Sequence, residues 1–289
     1  METVQGTIGL PPSNVVPRGL GTAELESFSG YAARISAKIA VPPLVFVRRA
    51  LEDAAGRPVL NTSVTAGARR LNVGDRGPDV AAAVSRLTGH PDLGRLSYFA
   101  FTKLLGMGER GLLARRRRWC SDCWRADGAE PYERKVWWLA LVDVCPVHGC
   151  LLESRCQTCG RFQPPLPRAV RLQVCSYCGH DLLAAPVVGS GPAFDRRLWY
   201  AREAAHLVHA GEAIAVSGSD ERESLRQAYT RLAALARQRR LQGVERFFAE
   251  EIQRTNESKL EALMSGLWRL QASILDLFSS GVRDMLRGC

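Results

Sequence analysis

Cys120-Ser121-Asp122-Cys123, Cys145-Pro146-Val147-His148, Cys156-Gln157-Thr158-Cys159 and Cys175-Ser176-Tyr177-Cys178 are pairs of soft ligands with two residues inside each pair. That spacing lets one tight turn present two side chains to a single ion, and two such turns complete a tetrahedron. The gap from Cys123 to Cys145 is 21 residues, slightly long for a zinc ribbon; that from Cys159 to Cys175 is 15, within the usual range. The expected sites are therefore Cys120, Cys123, Cys145 and His148 for one zinc ion, and Cys156, Cys159, Cys175 and Cys178 for a second. Four protein ligands leave no position for water, which makes both metals structural. Iron is the competitor at an all-cysteine site, and the Cys3His set favours zinc. Cys150 and His180 each lie two residues beyond a ligand and could replace a neighbour. Otherwise Cys150 is a small buried apolar residue and His180 an ordinary histidine. Gly149, Gly160 and Gly179 follow three of the pairs and relieve the backbone where amides turn toward sulfur.

The ninth cysteine is Cys289, a terminal thiol with no expected role. Clustered cysteines also mark disulfide-rich secreted domains, but the stretch from Met1 to Gly21 has no basic start followed by an apolar run. The expected setting is a reducing bacterial cytoplasm, where such thiols hold metal. No run of about 18 apolar residues suggests a membrane span.

Four regions follow along the chain. Residues 1–21, rich in Gly and Pro, are expected to be a flexible arm. Residues 22–107 read as a helical, helix-turn-helix-like domain. Leu25, Phe28, Ala32, Ile35 and Ile39 share one helix face. Pro42 and Pro43 end that helix, and Pro43 opens the next. A third runs from Gly77-Pro78-Asp79 to Gly89, and a fourth from about Leu93 through Leu96 and Phe99 to Leu105. The same pattern suits any small helical bundle. Residues 108–186 form the tandem zinc-finger region, in which Val136 to Val142 is a strand or a buried segment. After a linker containing Gly189-Ser190-Gly191, residues 193–289 are expected to form a C-terminal helical domain; Leu198, Ala201, Ala205 and Val208 fit one helix there. The fold class is thus mainly α, with tandem zinc ribbons between two helical parts.

The chain has 289 residues, 46% of them hydrophobic, a formal net charge of +10 and a pI near 9.5. That balance suits an anionic partner, most simply nucleic acid. Arg115-Arg116-Arg117-Arg118, directly before the first ligand, is the candidate phosphate-contacting run, or else a solvated basic face. Trp119 and Trp124 bracket the first ligand pair and read as core packing first, as a base-stacking platform second. No phosphate-binding Gly-Lys-Ser/Thr loop, Gly-x-Ser-x-Gly or His-Glu-x-x-His motif is present, so no catalytic residues are assigned.

Pro131-Tyr132-Glu133-Arg134, Trp137-Trp138, Val144 to Leu152 and Cys156-x-x-Cys159, with Glu24 to Arg34 upstream, resemble the TniQ family over about residues 20–183. The resemblance implies a non-catalytic target-selection protein of transposons, with an N-terminal helix-turn-helix, tandem zinc fingers and two structural Zn2+. It also implies an AAA+ ATPase partner of the TnsC or TniB kind. DNA would be reached directly or through a CRISPR effector, in some cases by a homodimer. The competing readings are a zinc-ribbon transcription regulator, or a nuclease or recombinase with its own active site.

Overall fold

The computed structural model describes residues 15–48, 71–72, 77–91, 93–98, 112–217, 264–265 and 267–268. The expected arm before residue 15, the helix end at 99–105 and most of the region beyond 217 lie outside them. The described part is helix-rich, and among the described residues β-structure is limited to isolated bridges. No described helix is long and apolar enough to cross a membrane.

Helix α1 spans Phe28–Lys38. Ser27 caps it, its hydroxyl accepting from the Gly30 N–H at 3.0 Å. Its end closes before the prolines. Ala40 stands at φ 54°, its N–H bonds Ala37 O, and the Val41 N–H bonds Ser36 O, a Schellman-type closure on an alanine. Pro43 then opens the short α2, Pro43–Phe46. Helix α3, Gly77–Thr88, has the bounds the sequence implied and ends at Gly89. The fourth expected helix differs at its start: Leu93–Leu96 is a 3-10 turn packed on α3 and α1. Val136 to Val142 is neither a regular strand nor a helix; Lys135–Trp138 is a 3-10 turn, and Leu139 forms an isolated bridge with Leu113.

The periodic stripe of α1 implied one buried face. The helix is instead buried almost all round, from Phe28 through Ser36, including Ser29, Arg34 and Ser36. The second face is polar and meets a polar partner from the zinc-finger region. Residues 25–27 run antiparallel to 133–135, with Ser27 N–H to Glu133 O at 2.8 Å and Lys135 N–H to Leu25 O at 2.7 Å. Glu26, fully buried, takes a two-pronged bond from Arg34 at 2.7 Å on each oxygen. Burial still raises the Glu26 pKa against that pairing.

Gly30 sits where the two segments touch. A Cβ there would lie 2.8 Å from Glu133 Cβ and 3.0 Å from Ser27 Oγ. Gly30→Ala is therefore expected to destabilise the protein by about 1–3 kcal/mol, the usual cost of overpacking. Urea unfolding checks this, and an unchanged midpoint would show the contact to be slack.

Helix α4, Ser121–Asp127, carries the first ligand pair, and helix α5, Pro192–Ser217, follows the linker. Ala201, Ala204, Leu207 and Val208 of α5 are buried in the same apolar cluster as Trp119, Trp124 and Trp137. Arg197 holds Asp143 at 2.6 and 3.0 Å, fastening α5 beside the first zinc-ligand cluster.

Candidate metal centres and the arginine run

Three ligand pairs are built alike. In each, the residue before the first cysteine bridges to one seven positions on: Val144 with Leu151, Arg155 with Phe162, Val174 with Asp181. The glycine four past that cysteine closes the turn onto its carbonyl, at 2.9 Å for Gly149 and Gly160 and 3.2 Å for Gly179. All three glycines have positive φ, at 63°, 69° and 74°, a region where a Cβ is strained. The fourth pair departs from this pattern. Cys120 is the N-cap of α4, its sulfur accepting from the Cys123 N–H at 3.5 Å. No glycine follows Cys123, and Ser121-Asp122-Cys123-Trp124-Arg125-Ala126-Asp127 continues as helix.

The fold brings these pairs together as two sets of four. Cys120, Cys123, Cys145 and His148 form one and Cys156, Cys159, Cys175 and Cys178 the other, with ligand atoms within 4.8 Å of one another. Zinc–sulfur bonds of about 2.3 Å in a tetrahedron place sulfurs roughly 3.8 Å apart. The observed separations fit: 3.6 Å for Cys123–Cys145, and 3.7 Å for both Cys156–Cys178 and Cys159–Cys175. His148 presents Nδ1 at 3.2 Å from Cys123 Sγ and 3.5 Å from Cys120 Sγ. The thiols of the first set share protons. Hydrogen bonds from Cys123, Cys145 and Cys150 hold the Cys120 thiol far below its ordinary pKa, and the contact with Cys120 pushes Cys123 far above it. Burial opposes charge on Cys175, but the backbone amides of Cys178 and Tyr177 and the Gln163 side chain bring it down to about 6. Thiolate is the ligand form. The eight cysteines of the described residues are free thiols.

Cys150 lies at 3.5 Å from Cys120 Sγ, a fourth sulfur against the first set, and it is buried. His180 is exposed and gives its backbone carbonyl to Cys175. Gln163 escaped the sequence reading. It is buried, its amide donates to Cys175 Sγ at 3.3 Å, and it accepts from Ser176 N–H at 2.9 Å. Only the 15-residue gap hinted that something must brace the second set.

The arginine run divides. Arg117 is fully buried, donating to Glu133 at 3.1 Å and to Leu172 O at 2.9 Å. Arg118 gives its guanidinium to the carbonyls of Trp137, Leu139 and Ala140. Burial lowers both pKa values, that of Arg118 to about 10. The expectation that these two face phosphate is corrected: the first half of the run points out, and the second half is taken up by Glu133 and by backbone carbonyls. Arg115 and Arg116 remain exposed. Trp119 and Trp124 stack at 5.6 Å with planes 3° apart, both wholly buried, so they are packing and not a platform for bases.

With this geometry in view, comparison with protein families gives a match of residues 17–152 to the TniQ family. Over this segment, just under half of the chain, the protein is similar to the TniQ family. The matched segment begins at the turn before α1, contains the Glu26 and Glu133 contacts and ends just past the first ligand set. The second ligand set lies beyond it. The match points to a role in transposition target selection. No curated protein matches the chain significantly.

Proposed function

We propose that this protein is a zinc-containing adaptor that links a transposition target to an AAA+ regulator of the TnsC or TniB kind. The supporting observation is the TniQ match over residues 17–152, which encloses the first metal-ligand set and helix α1. One Zn2+ completes each ligand set, two in all, and the metals are structural. Residues 22–107 would act as a helix-turn-helix-like domain and 108–186 as the tandem zinc-finger region. Target DNA would be met directly or through a DNA-bound effector, a CRISPR complex among them, by one copy or a homodimer. A rigid centre with helical parts on either side suits a protein that holds one partner at each end.

In this reading residues 20–185 dock the ATPase and the region beyond α5 sets the destination. Truncation must spare α5, whose Ala201, Ala204 and Leu207 are buried in the common core. A chain ending at Ser217 loses Met264 and Leu267 from the same cluster; provided that it still unfolds cooperatively, it is expected to keep two zinc ions and to co-purify with the ATPase, while insertion in cells loses its target site. Loss of ATPase binding from a truncation that still holds zinc would reverse the assignment of the two halves.

A further inference from the structure

The ion pairs of the described residues use Arg18, Arg34, Arg117, Arg125, Arg134 and Arg197. Arg115, Arg116, Arg155, Arg161, Arg168 and Arg171 are all exposed, and among the described residues no carboxylate pairs with any of them. Four of the six belong to the second ligand unit, outside the segment that matches the family.

Aromatic rings hold four of these six guanidinium groups in place. Arg116 lies 3.1 Å and Arg155 3.7 Å from the Phe162 ring centre. Two guanidinium carbons so near one centroid must occupy opposite faces, since on one face they would overlap. Arg161 and Arg168 both lie over Tyr177, at 5.2 and 5.3 Å. Arg171 lines a cleft of about 220 Å³ with Arg34, Lys38 and Glu130, where Arg34 and Lys38 are already paired with Glu26 and Glu130. Stacking fixes the cations at low entropic cost but leaves their like charges uncompensated. A zinc tetrathiolate carries two net negative charges, fewer than the six arginines supply. Residues 153–183 contain no helix that could enter a major groove. Planar, preset guanidinium groups without such a helix suit phosphate rather than base edges.

We propose that the second ligand unit, with Arg115 and Arg116, is a docking face for the phosphate backbone of duplex DNA, independent of sequence. The biological meaning of this face rests on the target-selection reading above; its chemistry does not.

The test uses the zinc-loaded full chain, a short duplex of arbitrary sequence and a salt titration followed by fluorescence anisotropy. Replacing Arg155, Arg161, Arg168 and Arg171 with alanine is expected to weaken binding to every duplex. The slope of log affinity against log salt should shrink by about 0.9 for each lost phosphate contact. Lysine at the same four positions is expected to restore most of that slope. Should the alanine set shed zinc, R116A/R155A and R161A/R168A are measured separately by the same slope criterion. An unchanged slope with zinc retained overturns the proposal, as does a loss confined to single-stranded RNA. A slope that shrinks in a protein dispensable for insertion supports the face and removes the target-selection reading. An unchanged slope in a protein that still directs insertion removes the face alone.

Discussion

Cys123→Ser is expected to reduce bound zinc from two ions to one and to expose the tryptophans. Metal binding at a structural zinc site supplies about 10–16 kcal/mol of apparent free energy. A domain's whole net stability is about 5–15 kcal/mol, so losing one such site is not absorbed. The first set is the more damaging one to break. Cys120 caps the helix that carries Trp124, and Trp124 stacks on Trp119 and meets Trp137 edge-on at 6.5 Å. Without the metal, the sulfurs and the imidazole no longer hold α4 against the Cys145 turn, and water reaches a centre built from three indoles. The readouts are elemental zinc analysis and tryptophan emission, which should shift red. Cys156→Ser should also leave one zinc and cost several kcal/mol, with a smaller emission change. The second set touches the indoles chiefly through Trp119 Nε1–H to Leu182 O, at 3.2 Å. Cys150→Ser should keep both metals if His148 is the fourth ligand. Native emission and two zinc ions in Cys123→Ser would show that the ligand set was misread.

The two metal-ligand sets were legible because ligand spacing is a local constraint: two residues between donors, and a glycine four past the first. Helix α3 was legible for the same reason, since Gly77-Pro78-Asp79 and Gly89 punctuate an apolar repeat at both ends. The arginine run was not. A block of four charges reads as one surface only if its side chains point together, and here the first two point out and the last two point in. Arg117 turns toward Glu133 while Arg116 turns out over Phe162, and nothing within the run says so. The polar face of α1 was hidden in the same way. Ser27 and Ser29 look like ordinary helix-start residues until Glu133, more than a hundred positions away, is brought against them. The face on Phe162 and Tyr177 needed three dimensions because Arg116 and Arg155 meet on one ring from either side of the first ligand set.

Glu133→Ala is expected to destabilise the protein by about 3–5 kcal/mol or more, the range seen when one member of a buried ion pair is removed. Glu133 is buried, and its Oε1 accepts from Ser27 Oγ at 2.5 Å, Trp138 Nε1 at 2.6 Å and Ser29 Oγ at 2.7 Å. Its Oε2 accepts from Arg117 Nε at 3.1 Å. Alanine orphans three donors and leaves a guanidinium with no counter-charge in the interior. Arg117 has little else to fall back on. Its Nη2 reaches Leu172 O, its Nη1 is buried without a hydrogen-bond partner, and Trp124 offers only a ring at 5.1 Å. Arg117 also spans two parts of the fold, joining the carboxylate beside α1 to Leu172 in the second ligand unit. Loss of Glu133 should therefore loosen α1 and that unit together, in one cooperative step. Glu133→Gln keeps the shape and two acceptor lone pairs but not the charge, and it should lie between wild type and alanine. Pairing Glu133→Ala with Arg117→Met should recover part of the loss, since the unmatched charge goes with the arginine. Urea unfolding of the four proteins gives the coupling directly. A Glu133→Ala chain within about 1 kcal/mol of wild type, or a double variant no better than the single, would mean that the buried charge is relieved by water.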